Sequence, residues 1–237
     1  MNTIKKISLF GAFALLALTS CNSSSNKQFA ETDSIAAPVD TFDVKAFNSF
    51  SSADLKTFGL KGHVKKLEET SGEGEDVIIV FSKEGEAKVV KYLSTDGVIG
   101  RDKAGRIATI GTVISEDKEG WFYRFEYDND GNVVAVNQEI PSYFMTYRTE
   151  LKKLDDNGWP IECFTQGGEG GTVDRCTETI NYSDIDAVGN WTSNIQTGEN
   201  KSIEMNFDDS EKVTNTEKFN KQTTRKIYYY TQEELKL

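Results

Sequence analysis

The chain has 237 residues, of which 27% are charged and 37% are hydrophobic, with three prolines and three cysteines. This composition excludes fibrous, collagen-like and multi-pass membrane proteins. The 38 acidic and 27 basic residues give a formal net charge of −11. Because a phosphate backbone would be repelled by such a chain, we expect no nucleic-acid partner.

The N-terminus combines a short basic start with an apolar run. Lys5 and Lys6 precede Ile7–Thr19, which is too short to cross a bilayer comfortably as a helix. The run leads into the sequence LTSC at residues 18–21, which resembles the lipobox of bacterial lipoproteins. The resemblance implies that residues 1–20 are a signal peptide and that Cys21 is acylated after cleavage. A lipid on Cys21 would then hold the protein at a membrane.

The residues after Cys21 bear on the location of the protein. Removal of residues 1–20 takes away two lysines and no acid, so the remaining formal charge is −13. The membrane contact would therefore depend on the lipid and not on a basic patch. Asn22 follows the cysteine, and no acidic run of the kind that resembles Bacteroidetes surface-export signals comes next. We expect an anchor in the outer membrane, on its periplasmic face.

The next segment is predicted to be a tether. Residues 22–41 are rich in Ser, Asn, Thr and Ala and poor in large apolar residues, so we assign residues 21–50 to the lipidated cysteine and a flexible tether. Ser52–Phe58 has the pattern of one helical turn with Ser52 as its N-cap and Gly59 as its stop. Residues 51–237 form the predicted folded domain.

The domain has the sequence pattern of antiparallel sheet. From His63 onward, β-branched and aromatic residues alternate with polar ones in short runs that end at Gly, Asn or Asp. The clearest run is Trp121–Tyr127, which is followed by a turn at residues 128–132. We predict an all-β fold, an antiparallel β-meander of successive hairpins. The pattern leaves open whether the sheet is a single curled layer, a half-barrel or a sandwich.

Turn glycines recur along the domain, at Gly85, Gly97, Gly105, Gly131, Gly158 and Gly189. The segments YDNDGNVVAVNQE and YSDIDAVGNWTSN and the closing strand RKIYYY resemble YD-type repeats of the Rhs family and of repeat-bearing lipoproteins of Bacteroidetes. Gly85 and Gly158 lack the preceding Tyr-Asp pair of that pattern. The resemblance implies an extended or curled antiparallel sheet that binds sugar or protein.

Two cysteines remain for a disulfide if Cys21 is acylated. Cys163 and Cys176 lie equally far from the centre of the sequence GEGG at residues 168–171. A hairpin that turns at Glu169 and Gly170 would place the two cysteines opposite each other, close to disulfide geometry. We predict a bond between them in an oxidising envelope; the alternatives are two free thiols or a different register.

The sequence offers little catalytic chemistry. His63 is the only histidine, and its setting indicates an exposed strand residue more than a catalytic base. The supply of His and Cys does not suit a zinc site, so we expect no metal and no cofactor. Asp128, Asp130 and Asn132 could suggest calcium, but Gly131 comes too early for an EF-type loop, which favours a plain turn. A pair of carboxylates for glycoside hydrolysis stays open, because that chemistry depends on spatial separation.

The aromatic residues are the candidate ligand contacts. Trp121, Trp159 and Trp191 each follow a turn glycine, and Tyr123 shares a face with Trp121. Such rings could stack on sugars at hairpin ends, or they could plug the ends of the apolar layer.

Location and architecture together lead to an expected function. We expect a non-catalytic envelope lipoprotein that binds or scaffolds a glycan or an envelope protein. Two alternatives are a glycan-processing hydrolase with paired carboxylates and a periplasmic carrier of lipid or outer-membrane protein. The carrier should contain an apolar cavity, and the hydrolase should bring two acids together in a cleft.

Overall fold

The structure is a computed structural model that describes residues 43–72, 76–92, 95–111, 122–140, 145–169, 171–206 and 210–236. Twelve antiparallel strands follow one another as hairpins, and β1 also pairs with β12, so the sheet closes into a barrel. The strands are β1 (Val64–Ser71), β2 (Asp76–Phe81), β3 (Ala87–Tyr92), β4 (Thr95–Arg101), β5 (Ile107–Gly111), β6 (Phe122–Tyr127), β7 (Val133–Ile140), β8 (Met145–Leu154), β9 (Pro160–Glu169), β10 (Thr172–Ile185), β11 (Trp191–Met205) and β12 (Glu211–Tyr229). The helices are α1 (Val44–Ser49), α2 (Ala53–Thr57) and α3 (Gln232–Leu235).

The predicted all-β meander is confirmed, whereas the closed barrel differs from the single curled layer, the half-barrel and the sandwich that the sequence left open. The closing contact runs from Val64 opposite Tyr229 to Ser71 opposite Thr223. Pairing of the first and last strands removes most of the sheet edge that a single curled layer would expose.

One end of the barrel is built from a repeated turn. The connections β2–β3, β4–β5, β6–β7, β8–β9 and β10–β11 each place a glycine at positive φ, from 75° at Gly85 to 97° at Gly189. In four of them an aspartate three residues earlier accepts backbone N–H groups on its side chain, as Asp128 does from Asp130 and Asn132. The positive φ explains why glycine is needed at these positions.

The segment between α1 and β1 covers this turn end. Ser52 caps α2 by accepting from the Leu55 N–H, as the sequence predicts, and its hydroxyl donates to the Gly85 carbonyl. Asp54, which is 3% exposed, forms an ion pair with Arg101 at 2.7 Å. Leu55, Phe58 and Leu60 enter the main apolar cluster. The turn end of the barrel is therefore closed by apolar packing.

Some boundaries differ from the sequence-based expectation. The predicted tether extends to residue 50, yet Val44–Ser49 is helical and Phe50 packs against the core, so the folded part begins earlier. Gly97 is not a turn residue: it lies within β4, opposite Val90. The predicted signal peptide, Cys21 and residues 22–42 of the tether lie outside the described residues. Among the described residues, no helix is both long and apolar enough to cross a membrane.

Candidate functional site

The inner face of β1, β10, β11 and β12 carries a contiguous group of buried polar side chains. Strand pairing places them in neighbouring rows: Glu69 opposite Arg225, Ser71 opposite Thr223, Thr223 opposite Asn194, and Lys221 opposite Gln196. Glu178 lies one strand further, opposite Gly198. We call this set the inner polar patch; its members are Glu69, Ser71, Glu178, Trp191, Asn194, Gln196, Lys221, Thr223 and Arg225, and none is more than 8% exposed.

An ion pair lies at the side of the patch that is nearer to the turn end of the barrel. Arg225 Nε donates to Glu69 Oε2 at 2.6 Å, and the two side chains are 1% and 2% exposed. The guanidinium of Arg225 also stacks on the indole of Trp191, 3.6 Å from the ring centroid. Both contacts offset part of the cost of burying the guanidinium away from water.

The ion pair does not use all of its hydrogen-bonding capacity. Among the described residues, Arg225 Nη1 and Glu69 Oε1 have no hydrogen-bond partner. The same holds for six further atoms in the patch, which are Ser71 Oγ, Glu178 Oε2, Trp191 Nε1, Asn194 Nδ2, Gln196 Oε1 and Thr223 Oγ1. Native proteins leave few buried polar atoms unpaired, so a concentration of them on one wall indicates partners from outside the chain, which are ordered water or a ligand.

Burial perturbs the two carboxyl groups of the patch. It raises the pKa of Glu69 to about 7, although Arg225 and Lys221 oppose the rise. Burial also raises the pKa of Glu178 to about 7, and only Lys221 opposes it. Loss of solvation disfavours the charged form, so both groups can gain or lose a proton near neutral pH.

Glu69 and Glu178 share one basic neighbour. Lys221 lowers the pKa of both carboxyl groups, and Arg225 also lowers that of Glu69. Neither carboxyl is among the groups that influence the pKa of the other. The buried lysine is therefore the charged group that the two acids have in common.

Burial along the inner face of β12 changes from one end of the strand to the other. Arg225, Thr223 and Lys221 are buried, Phe219 is half-buried and Glu217 is exposed. Exposure of this face therefore increases away from the turn end.

The predicted aromatic contacts lie elsewhere than expected. Trp159 is 3% exposed, Trp191 is 0% exposed and Tyr123 is 4% exposed, so the prediction of an exposed stacking surface is wrong for these three. Tyr182 lies between the two indoles, with ring centroids 5.1 Å from Trp159 and 5.2 Å from Trp191. Trp191 is a member of the patch, and Trp159 and Tyr182 belong with it to one small buried cluster. Trp121 lies outside the described residues.

The predicted register of the cysteine hairpin is also wrong. Cys163 lies opposite Glu178, and Cys176 lies opposite Thr165. The hairpin turns one residue later than predicted, so the cysteines are diagonal neighbours, which are about 7–8 Å apart in a sheet. Both are free thiols in the structure, and both are buried. Burial and the nearby Glu178 raise the pKa of Cys176 to about 12, which keeps that thiol protonated.

His63 and Asp128 make contacts within the fold. His63 precedes β1, is half-buried and stacks on Phe50 at 3.8 Å, which differs from the exposed strand residue that the sequence predicts. Asp128 bonds to backbone N–H groups of its own turn, as expected for a plain hairpin. No group of three or more His, Cys, Asp or Glu side chains suited to a metal occurs in the part of the chain that the structure describes.

Sequence reasoning did not identify the patch. Its members come from β10, β11 and β12 and from β1, which is far from the other three along the chain, and most of them are common polar residues in alternating strands. The one available signal was that β11 and β12 have polar residues on both faces, which a strand with an apolar inner face would not have. No protein-family model and no curated protein matches the chain.

Proposed function

We propose that this protein is a lipid-anchored envelope protein whose barrel binds a small, neutral, polyhydroxylated ligand, such as a mono- or disaccharide, at the inner polar patch. The observation that carries the proposal is the set of buried polar atoms that have no partner among the described residues. Binding would give these atoms the hydrogen bonds that the chain does not supply.

The chemistry of the patch supports a polyhydroxylated ligand. Its unpaired groups include donors, acceptors and hydroxyls that can act as either. A sugar hydroxyl also donates and accepts, so it can bridge such neighbours. Two acidic and two basic side chains balance in formal charge, which favours a neutral molecule over an anion or a cation.

Calorimetry of the purified full chain with glucose, galactose, N-acetylglucosamine and maltose tests this proposal. We expect at least one of them to bind, and Asn194→Leu to weaken that binding at least tenfold, because Asn194 Nδ2 would lose its contact. Asn220→Leu is the matched control, since Asn220 is an exposed residue of β12. If none of the four sugars binds, or if both variants weaken binding equally, the proposal fails.

The anchoring part of the proposal rests on residues 1–21. A charged start, an apolar run and the LTSC sequence support cleavage before Cys21 and acylation of its thiol. Mass spectrometry of the mature protein should show a lipid-modified Cys21, and Cys21→Ser should release the protein from the membrane fraction. An unmodified or uncleaved N-terminus would contradict this part.

Hydrolysis of a glycan is the second candidate function. The raised pKa of Glu178 would suit a general acid near neutral pH. The lack of mutual influence between Glu69 and Glu178 weighs against it, as described above. Chromatography of oligosaccharides incubated with the protein separates the two functions, because products that disappear in Glu178→Gln would favour hydrolysis over binding alone.

A further inference from the structure

The N-terminal half of β12 pairs with a described strand on one side only. β11 pairs with β12 along its whole length from Glu211 to Thr224, whereas β1 pairs with it only from Thr223 to Tyr229. None of the described residues pairs with the other side of Glu211–Asn220, which we call the β12 edge. All residues from Glu211 to Lys218 are exposed, and Val213 is 54% exposed. An edge of this length can accept another strand.

A bulge within the edge decides which residues share a face. Ser202 lies opposite Asn215 and Ile203 lies opposite Val213, so Thr214 is an extra residue in β12. Side chains alternate along each strand, so Val213 and Glu211 lie on the face of Thr216 and Lys218. Lys212 lies on the other face, together with Glu217.

We propose that the β12 edge pairs with the β12 edge of a second copy of this chain, antiparallel about a two-fold axis between Thr214 and Asn215. Residues opposite each other must lie on one face, and this register meets that condition. It places Glu211 opposite Lys218 of the second copy and Lys212 opposite Glu217 of the second copy. By symmetry the contact contains four pairs of opposite charge, and Val213 lies opposite Thr216.

Charge complementarity favours this register, and it favours a second copy of the chain as the partner strand. A register centred on Glu217 would place Glu217 opposite Glu217 of the second copy, and one centred on Lys218 would place Lys218 opposite Lys218 of the second copy. Like charges directly opposite each other in a sheet are unfavourable. Within the chain, neither Glu217 nor Lys218 lies within 4.0 Å of an opposite charge among the described residues. The segment EKVTNTEK is therefore complementary to itself in the antiparallel direction, and a second copy supplies the partners for Glu217 and Lys218.

Sedimentation equilibrium of the full chain in density-matched detergent measures the association directly. We expect a monomer–dimer equilibrium that weakens as salt concentration rises. Lys212→Glu and Glu217→Lys should each raise the dissociation constant about tenfold, because each replaces attractive pairs by repulsive ones. The double variant Lys212→Glu with Glu217→Lys should restore the dimer. Lys226→Glu is the control, since Lys226 lies in the part of β12 that β1 covers.

Carbodiimide cross-linking of a mixture of isotopically light and heavy chains tests the register. We expect mixed-isotope cross-links between Glu211 and Lys218 and between Lys212 and Glu217. A chain that stays monomeric, a double variant that does not recover, or intermolecular cross-links at other pairs would overturn the proposal. So would a monomer in which amide hydrogen exchange is slow at Glu211–Asn220, because the edge would then be covered by another segment of the same chain.

Discussion

Two sectors of the barrel interior differ in chemistry. The first, formed by α2 and by β1 to β7, is packed with apolar side chains such as Leu55, Ile79 and Ile110, each 0% exposed, and we call it the apolar sector. The inner polar patch, on β1 and β10 to β12, is equally buried but contains Glu69, Arg225 and other polar groups. Burial of apolar surface stabilises the apolar sector, whereas burial of polar groups costs free energy in the patch unless they are paired. This difference indicates that the apolar sector maintains the fold and that the patch serves another purpose.

Removal of one member of the buried ion pair should have the largest effect. Arg225→Met leaves the Glu69 carboxylate buried without its partner, and we expect it to lower the free energy of unfolding by about 3–5 kcal/mol. Urea denaturation followed by circular dichroism measures this change. Adding Glu69→Leu to Arg225→Met should recover most of the loss, because the carboxyl group left without its partner is then removed as well. A single variant as stable as the wild type would show that Glu69 is solvated.

A cavity in the apolar sector should lower the free energy of unfolding slightly less than loss of the ion-pair partner does. Leu55→Ala removes a side chain that is 0% exposed, and we expect a loss of about 3 kcal/mol in the free energy of unfolding, from lost transfer energy and the cavity left behind. The same denaturation measurement applies. Val213→Ala is the control, since Val213 is exposed and its truncation should change stability by less than about 0.5 kcal/mol. Equal effects of the two variants would contradict the assignment of Leu55 to the core.

The patch should make stability depend on pH. The pKa of Glu178 is raised from 4.5 to about 7, so the folded protein holds a proton that the unfolded chain releases between these values. The stability contribution is then fully present below about pH 4.5 and falls as pH rises to about 7, by on the order of 3 kcal/mol. Denaturation at pH 5 and pH 8 should show this decrease, and Glu178→Gln should reduce it. A pH dependence unchanged in Glu178→Gln would exclude Glu178 as its source.

The smallest expected effect compares two buried threonines. Thr165→Val removes the hydrogen bond between the Thr149 and Thr165 hydroxyls at 3.0 Å, and should cost about 1 kcal/mol. Thr223→Val removes a hydroxyl with no partner among the described residues, so it should be neutral or stabilising for the ligand-free protein. Thermal denaturation of both variants measures the difference. A destabilising Thr223→Val would mean that this hydroxyl is satisfied in the protein alone.

Local features of the fold could be predicted because they depend on neighbouring residues. Ser52 caps α2, and Gly131 and Gly158 adopt the positive φ of turns, since capping and turn geometry act over a few residues. The fold class also followed from alternation along each strand. The cysteine register could not be predicted from the symmetry of residues 168–171, because the hairpin turns one residue later and every opposite pair changes with it.

The polar patch needed the tertiary structure. Nothing local to Glu69 or Glu178 distinguishes them from the other acidic residues of the chain. They become unusual only because closure of the barrel brings β1 beside β12 and removes both carboxyl groups from water. The prediction of an exposed stacking surface at Trp159 and Trp191 was wrong for the same reason, because the sequence shows that these residues enter strands but not which face becomes the interior.

The sequence by itself determined the strand-and-turn pattern, the hairpin connectivity and the acidic charge, since each depends on residue type and on spacing of a few residues. Only the tertiary structure decided that β1 pairs with β12 and that one end is closed by α2. It also decided that, among the described residues, the N-terminal half of β12 pairs with β11 on one side and with no strand on the other. These features depend on how the stagger between strands accumulates around the sheet. That stagger is a sum over all of the strand pairs, and no single segment of the chain contains it.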